Sequence, residues 1–263
     1  MNILFWNTRR TPRSEIIEEL IIKFDCDIAA FAEFSLEPNT LLSDLSDRGY
    51  DYYHVPKIAC ERIDIFTKLV PNRVEHMGES EYYTIKSFPH QELGKIIAAF
   101  VHFPSKSHAD ENDQLEESKL FISDLERDET SLNNANTVVL GDFNMNPFEK
   151  GMLSAGAFNA FPTKSEVVKR ERRLLKREYK FFYNPMWSFF GDRDLPLGSY
   201  FYNASKHYTL RWNIFDQVLV RPDIMDRLNI SDIKIITEVS GYNLRSSTGK
   251  PNVSDHFPLF FKI

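Results

Sequence analysis

Short apolar runs alternate along this chain with stretches in which apolar residues recur every three or four positions. Residues 3–6 read as a strand, and Ser14 is placed to cap a helix carrying Ile16, Ile17, Leu20, Ile21 and Phe24 on one face. Residues 27–34 form a second buried strand, so the chain opens as strand, helix, strand. Further strands are expected at 63–67 and 96–102. An acidic helix over 114–127 follows, with Leu115, Phe121, Ile122 and Leu125 on its buried side, then a strand at 137–140. The late strands are expected at 216–220, 233–239 and 259–262. No repeat, low-complexity tract or Pro/Gly/Ser linker interrupts the series. Interleaved helices and strands imply a layered α/β or α+β architecture, read here as one domain over 1–263.

The chain has 263 residues, enough to bury about 73% of its unfolded surface without disulfides or structural metal. Cys26 and Cys60 are too few for a disulfide framework and are not spaced as zinc ligands. Both are expected to be reduced, which suits an intracellular, cytoplasmic setting. The longest apolar run, 96–103, falls far short of the roughly 20 residues a membrane helix needs, and no membrane partner is expected. The N-terminus places its charges after the apolar run, the reverse of a secretory leader. A net charge of −6 excludes a globally basic nucleic-acid coat but leaves room for a local patch.

Polar residues stand where the apolar strands end. Asn7 follows 3–6, Glu33 lies inside 28–34, His102 closes 96–101, and Asp142 and Asn144 follow 137–141. Asp216 precedes 217–220, and Asp255 and His256 precede 257–261. Each alone reads as a turn former or the partner of a buried cation. Strand ends, however, hold loop residues rigidly at one rim, where ligand sites gather. Four ionised carboxylates converging there (Glu33, Asp142, Asp216, Asp255) would repel one another, and a divalent cation or an imidazolium would relieve that. Oxygen donors suit Mg²⁺ or Mn²⁺, and such an ion readily takes a phosphate oxygen, so the expected substrate class is a phosphate ester.

Several pieces carry a resemblance: Phe-Trp-Asn at 5–7, Ala-Glu-Phe at 32–34, Val-His-Phe-Pro-Ser at 101–105, Gly-Asp-Phe-Asn at 141–144, Asn-Ile-Phe-Asp-Gln-Val-Leu-Val at 213–220 and Ser-Asp-His-Phe-Pro at 254–258. In residues and order the chain resembles the endonuclease/exonuclease/phosphatase family. That resemblance implies an α+β fold: a four-layer α/β/β/α sandwich, two packed mixed β-sheets flanked by helices, with the active site at one rim. It implies Glu33 as principal metal ligand, with Asn7 and Asp255 completing the site. Asp142 would orient and deprotonate the attacking water, and Asn144 would hold the nucleophile or a phosphoryl oxygen. His256, paired with Asp216, would stabilise phosphoryl charge, and His102 would contact the phosphate or assist the leaving group. The chain departs from many relatives at Ala32, where they carry Gln, and no catalytic tyrosine is identifiable.

The substrate class rests on residues 164–180, which hold eight cations and three acids, a net +5 on an acidic chain. Arg173 and Arg177 within it are candidate phosphate-backbone contacts. The competing reading is an amphipathic helix, because Val167, Val168, Leu174 and Leu175 have helical spacing. Arg211 and Trp212, just before Asp216, are candidates for the substrate edge, or else an Arg stacked on Trp for structure. These features give a nuclease, with DNA as the first substrate. The alternative is a phosphatase or phospholipase-type enzyme of the same fold, and a non-catalytic binding module is a minor third.

Overall fold

The computed structural model describes residues 1–11, 13–192, 195–203 and 209–263. The first half supplies strands β1 (Asn2–Asn7), β2 (Ile28–Ala32), β3 (Tyr53–His54), β4 (Ile63–Thr67), β5 (Glu75–Glu79), β6 (Tyr83–His90), β7 (Gly94–His102) and β8 (Thr137–Asp142). The second half adds β9 (Ala160–Phe161), β10 (Glu171–Leu174), β11 (Arg177–Lys180), β12 (Phe182–Tyr183), β13 (Tyr200–Phe201), β14 (Trp212–Asn213), β15 (Asp216–Val220), β16 (Lys234–Ile235), β17 (Glu238–Val239), β18 (Tyr242–Asn243) and β19 (Leu259–Lys262). The helices are α1 (Ser14–Lys23), α2 (Pro38–Asp47), α3 (Glu111–Ser131), α4 (Lys150–Leu153) and α5 (Lys164–Val167). None of the helices described is long and apolar enough to cross a membrane.

Two mixed sheets form, in the orders β16-β19-β1-β2-β4-β3 and β5-β6-β7-β8-β15-β12-β9. The first sheet has the parallel pair β1 with β2 and the second has β7 with β8 and, at its edge, β9 with β12; α1 and α3 supply the crossovers of the two central pairs. The period of two along a strand then sets the layers. Ile3, Phe5, Ile28 and Ala30 face inward against Phe88, Phe100, Leu140 and Val218 of the second sheet. Their neighbours Leu4, Trp6, Ala29 and Phe31 face outward onto Ile16, Ile17, Leu20 and Ile21 of α1. On the other side Ile97, Ala99, Val101 and Val139 meet Phe121 and Leu125 of α3. The result is the expected four-layer α/β/β/α sandwich.

Local chemistry differs from expectation in four places. Ser14 is the first residue of α1, not its cap; its Oγ donates to Glu18 at 2.9 Å and to Asp44 at 3.1 Å, while Arg13 stands at the cap position. Helix α3 starts earlier than its apolar pattern suggests, because Asp110 and Asp113 form a reciprocal capping box. The helical reading of 164–180 fails after α5. Leu175 and Lys176 adopt left-handed φ of 49° and 66°, reversing the chain so that β10 and β11 pair as a hairpin. The strand expected over 233–239 is also divided: Lys234–Ile235 pairs with β19, and the Ile236 N–H still follows that register to the Pro258 carbonyl at 2.8 Å, whereas Glu238–Val239 turns away to pair with β18.

Gly141 fixes how closely β7 and β8 approach. A Cβ there would lie 2.0 Å from the Val101 carbonyl oxygen, and its φ is +146°, so only glycine fits immediately before Asp142.

Candidate active site

The central parallel pairs, β1–β2 and β7–β8, end at the same rim. In register, Asn7 lies opposite Ala32, His102 opposite Asp142, and Asp142 opposite Asp216. Asn7 and Glu33 thus come from the first sheet and His102, Asp142 and Asp216 from the second. His256 arrives on the segment entering β19. The sequence places these residues together only through the fold, since they span positions 7 to 256.

Asp142 is the centre, 1% exposed. The Asn7 Nδ2 donates to its Oδ2 at 3.0 Å, and the Asn144 backbone N–H donates to its Oδ1 at 2.9 Å. Two imidazoles face the same oxygen: His256 Nε2 at 3.7 Å and His102 Nε2 at 3.9 Å. Glu33 Oε1 lies 3.8 Å from that His102 nitrogen, so Glu33 and Asp142 share one neighbour. Glu33 has a left-handed φ of +50°, held by Arg10 N–H and Thr8 Oγ1 donating to its carbonyl. Persisting in that conformation requires such surrounding restraint.

The two histidines are driven in opposite directions. His256 is wholly buried, which by itself would lower its pKa. The carboxylates of Asp216, hydrogen-bonded to its Nδ1 at 2.8 Å, and of Asp142 overcome that and raise it to about 10. His102 is lowered, because burial outweighs the pull of Asp142 and Glu33. The site therefore holds one imidazolium and one neutral imidazole. His102 Nδ1 and Asp216 Oδ1 are buried without a hydrogen-bond partner. Asp142, Asp216 and His256 offer ligand atoms within 4.8 Å of one another, dense enough to hold a metal ion. We read the Asp216 and His256 pair instead as a hydrogen-bonded dyad, since its shortest contact is already satisfied.

The remaining expected residues are placed less uniformly. Asn144, at φ +50°, donates its Nδ2 to the Phe103 carbonyl at 2.9 Å, which ties the loop after β8 to the end of β7. Asp255 Oδ2 lies 3.5 Å from Arg9 Nε at the mouth. Trp212 is half-buried, edge-on to Phe201 at 5.1 Å and stacked over Phe257 at 6.5 Å, the structural packing that was the other reading of this residue. Arg211 beside it is exposed. Arg173 and Arg177 are not brought to the rim. Their hairpin leads into β12, whose Tyr183 pairs with Val220, the end of β15 opposite Asp216.

Sequence reading missed Tyr200. Its ring lies 4.5 Å from the His256 imidazole and stacks on Phe215 at 5.0 Å. Burial, then the charges of Asp255 and Asp142, push its hydroxyl up to about 12. The pairing with His256 spans more than fifty positions, so only an isolated tyrosine in an aromatic run was visible. Tyr200 and Asn144 line a cavity of about 430 Å³ with Lys106, Asn146, Phe148 and Phe215. A second cavity of about 420 Å³ on the Asp255 side holds Arg9, Phe201 and Lys250. Lys106 sits 5.1 Å over the Phe215 ring and Lys250 sits 4.4 Å over the Phe201 ring.

A two-sheet sandwich with carboxylates and imidazoles converging at one rim defines a phosphoesterase-type fold. The chain belongs to the Endonuclease/Exonuclease/phosphatase family, whose model matches residues 2–256. Similar solved structures include Danio rerio TDP2 complexed with single-strand DNA product, at 13% identity and TM-score 0.55 over 99% of this chain and 97% of that one. Another is the Bacteroides thetaiotaomicron mannosyl-6-phosphatase Bt3783, at 14% identity and TM-score 0.59 over 100% and 98%. The human Nocturnin catalytic domain with bound sulfate aligns at 14% identity and TM-score 0.55 over 99% and 93%. At these identities the likeness shows the fold. No match was found among curated protein sequences.

Proposed function

We propose that the protein is a divalent-metal-dependent phosphodiesterase that cleaves nucleic acid, DNA first, by attack of water on phosphorus. The observation that carries this reading is Asp142: a buried carboxylate clamped by Asn7 and Asn144, facing two imidazoles, with a lysine-over-aromatic cavity on either side. A diester has an arm on each side of its phosphorus, and two flanking cavities suit that better than one.

Asn7, Glu33 and Asp255 are the residues that would hold Mg²⁺ or Mn²⁺. Their donors are all hard oxygens. The Glu33 side chain is 34% exposed and, among the described residues, its carboxylate accepts no hydrogen bond; the Asp255 carboxylate already attracts the Arg9 guanidinium. Such an ion, when bound, neutralises charge developing on the phosphoryl and leaving oxygens. Asp142 accepts the proton of the attacking water, its oxygens aimed by the two amide donors. His256, kept cationic by Asp216, faces the growing phosphoryl charge, and His102, neutral, donates a hydrogen bond towards the phosphate or the leaving oxygen.

The specific test is a panel of single-stranded DNA, duplex DNA, RNA, and sugar, inositol and lipid phosphates, each with Mg²⁺ and Mn²⁺. Wild type is expected to cleave DNA with salt-sensitive KM, and Asp142→Asn to lose turnover while retaining its fold and most of its substrate affinity. Turnover confined to monoesters would favour the alternative phosphatase reading, for which the compact Lys106 cavity is the supporting feature. Absence of both turnover and metal binding by calorimetry would leave a binding module.

A further inference from the structure

Within residues 164–180, expected as either a substrate footprint or an amphipathic helix with a solvated basic face, the stretch after α5, residues 168–180, folds into the β10–β11 hairpin. The segment holds seven cations and two acids. Arg170 pairs with Asp223, Lys180 with Glu129 at 3.1 Å, and Arg172 donates to the Leu153 carbonyl at 3.1 Å while lying 5.1 Å over the Phe161 ring. These anchors fasten the hairpin to the body. Among the described residues no ion pair reaches Lys169, Arg173, Lys176 or Arg177, all of which are exposed, and Glu178 opposite Arg173 offsets one of these charges.

Between the free cations stand apolar side chains in solvent: Leu175 is 97% exposed, Val168 59% and Leu174 43%. Leu175 and Lys176 occupy the two central positions of the turn, both left-handed, where Asn or Gly would sit without strain. A leucine there is strained and uncovered at once. Isolated exposed leucines need no explanation, but two adjacent ones at a hairpin tip, ringed by unpaired cations, match an interfacial lipid contact: apolar groups enter the headgroup boundary while cations face anionic lipid. The tip carries no aromatic ring on which a base could stack. The hairpin is its own two-stranded sheet, and the chain leaving it enters the second sheet through β12, whose Tyr183 pairs with Val220, four residues along β15 from Asp216, or roughly 13 Å from the rim.

We propose that the β10–β11 hairpin is a docking tip for an anionic lipid surface, with Leu174 and Leu175 entering the interface and Lys169, Arg173, Lys176 and Arg177 facing the headgroups. A surface contact of this kind needs no membrane-spanning helix and is independent of which phosphate ester the rim cleaves.

The full chain is tested by co-sedimentation with phosphatidylcholine vesicles, with and without about a third phosphatidylserine, at low and high salt. Binding is expected only to the anionic vesicles and is expected to fall as salt rises. Lys176→Glu should weaken it at least about fivefold, and Leu175→Ser about tenfold with charge unchanged. Leu175→Gly, which also relieves the left-handed turn, should behave as Leu175→Ser and rules out misfolding as the cause. Equal sedimentation with both vesicle types would overturn the proposal, as would wild-type binding by the two leucine variants. So would a tip that instead binds duplex DNA, or one that drives self-association in sedimentation equilibrium, with vesicle binding absent.

Discussion

Asp216 accepts a 2.8 Å hydrogen bond from His256 Nδ1 and thereby leaves Nε2 aimed at Asp142, 3.7 Å away. One contact sets the tautomer, the charge and the direction of the imidazole. Asp216→Asn should keep the ring in place while removing the charge that holds it cationic. The turnover number is expected to fall about a hundredfold or more, with substrate affinity little changed. A kcat within twofold of wild type, measured on folded variant, would reject the role given to Asp216.

A buried ion pair stabilises the far end of the second sheet. Glu129 accepts from Arg221 Nε at 2.8 Å and from Thr137 Oγ1 at 2.8 Å, and the Arg221 guanidinium lies 4.0 Å over the Phe182 ring. Both side chains are 2% exposed. Without Glu129, buried Arg221 keeps only the longer contact to half-exposed Glu126 at 3.4 Å, and Lys180 loses its 3.1 Å partner, so Glu129→Gln should cost about 3 kcal/mol in urea unfolding. The double variant Glu129→Leu/Arg221→Met should recover much of that loss, whereas independent, additive losses would argue against a coupled pair.

Asp128 shows the opposite sign. Burial raises its carboxyl pKa, against the pull of the Gly78 N–H it accepts at 2.7 Å and of Arg127. Its native pKa lies above the unfolded value of 3.8, so the folded chain binds the proton more tightly. Stability at this position is gained as pH falls through the native pKa and is missing at neutral pH. Asp128→Asn keeps an acceptor for Gly78 and removes the charge. Its urea midpoint should exceed that of wild type at pH 7, and the gap should close near pH 4. A gap that widens in acid would contradict the assignment.

Gly141→Ala should be among the most damaging single substitutions in the chain. Its methyl would collide with the Val101 carbonyl in a conformation only glycine adopts readily. A loss of at least about 3 kcal/mol is expected, read as failure to accumulate soluble protein or as a collapsed thermal transition. Near-native melting would mean that β7 and β8 can separate at low cost.

The strand ends were legible because each motif is continuous with the strand that carries it: Gly-Asp-Phe-Asn finishes β8, and Ser-Asp-His leads into β19. Order along the chain was therefore enough to propose that Glu33 and Asp142 meet. Tyr200 and Lys106 were not legible, since what brings them to the site is sheet packing and not sequence spacing. Val167, Val168, Leu174 and Leu175 misled because their separations suit one helical face equally well as the two ends of a short helix and a hairpin. Trp212 stands four positions before Asp216, yet it belongs to β14, which pairs with β13 and not with the sheet of β15, and its half-buried ring packs on Phe257.

The bond from Asn7 to Asp142 and the one from Asp216 to His256 each cross from one sheet to the other. Chemistry at this rim consequently works as a gauge of alignment across the seam. Any partly opened form in which the sheets slip, even with every strand intact, would separate base from cation and fall silent before its secondary structure melts.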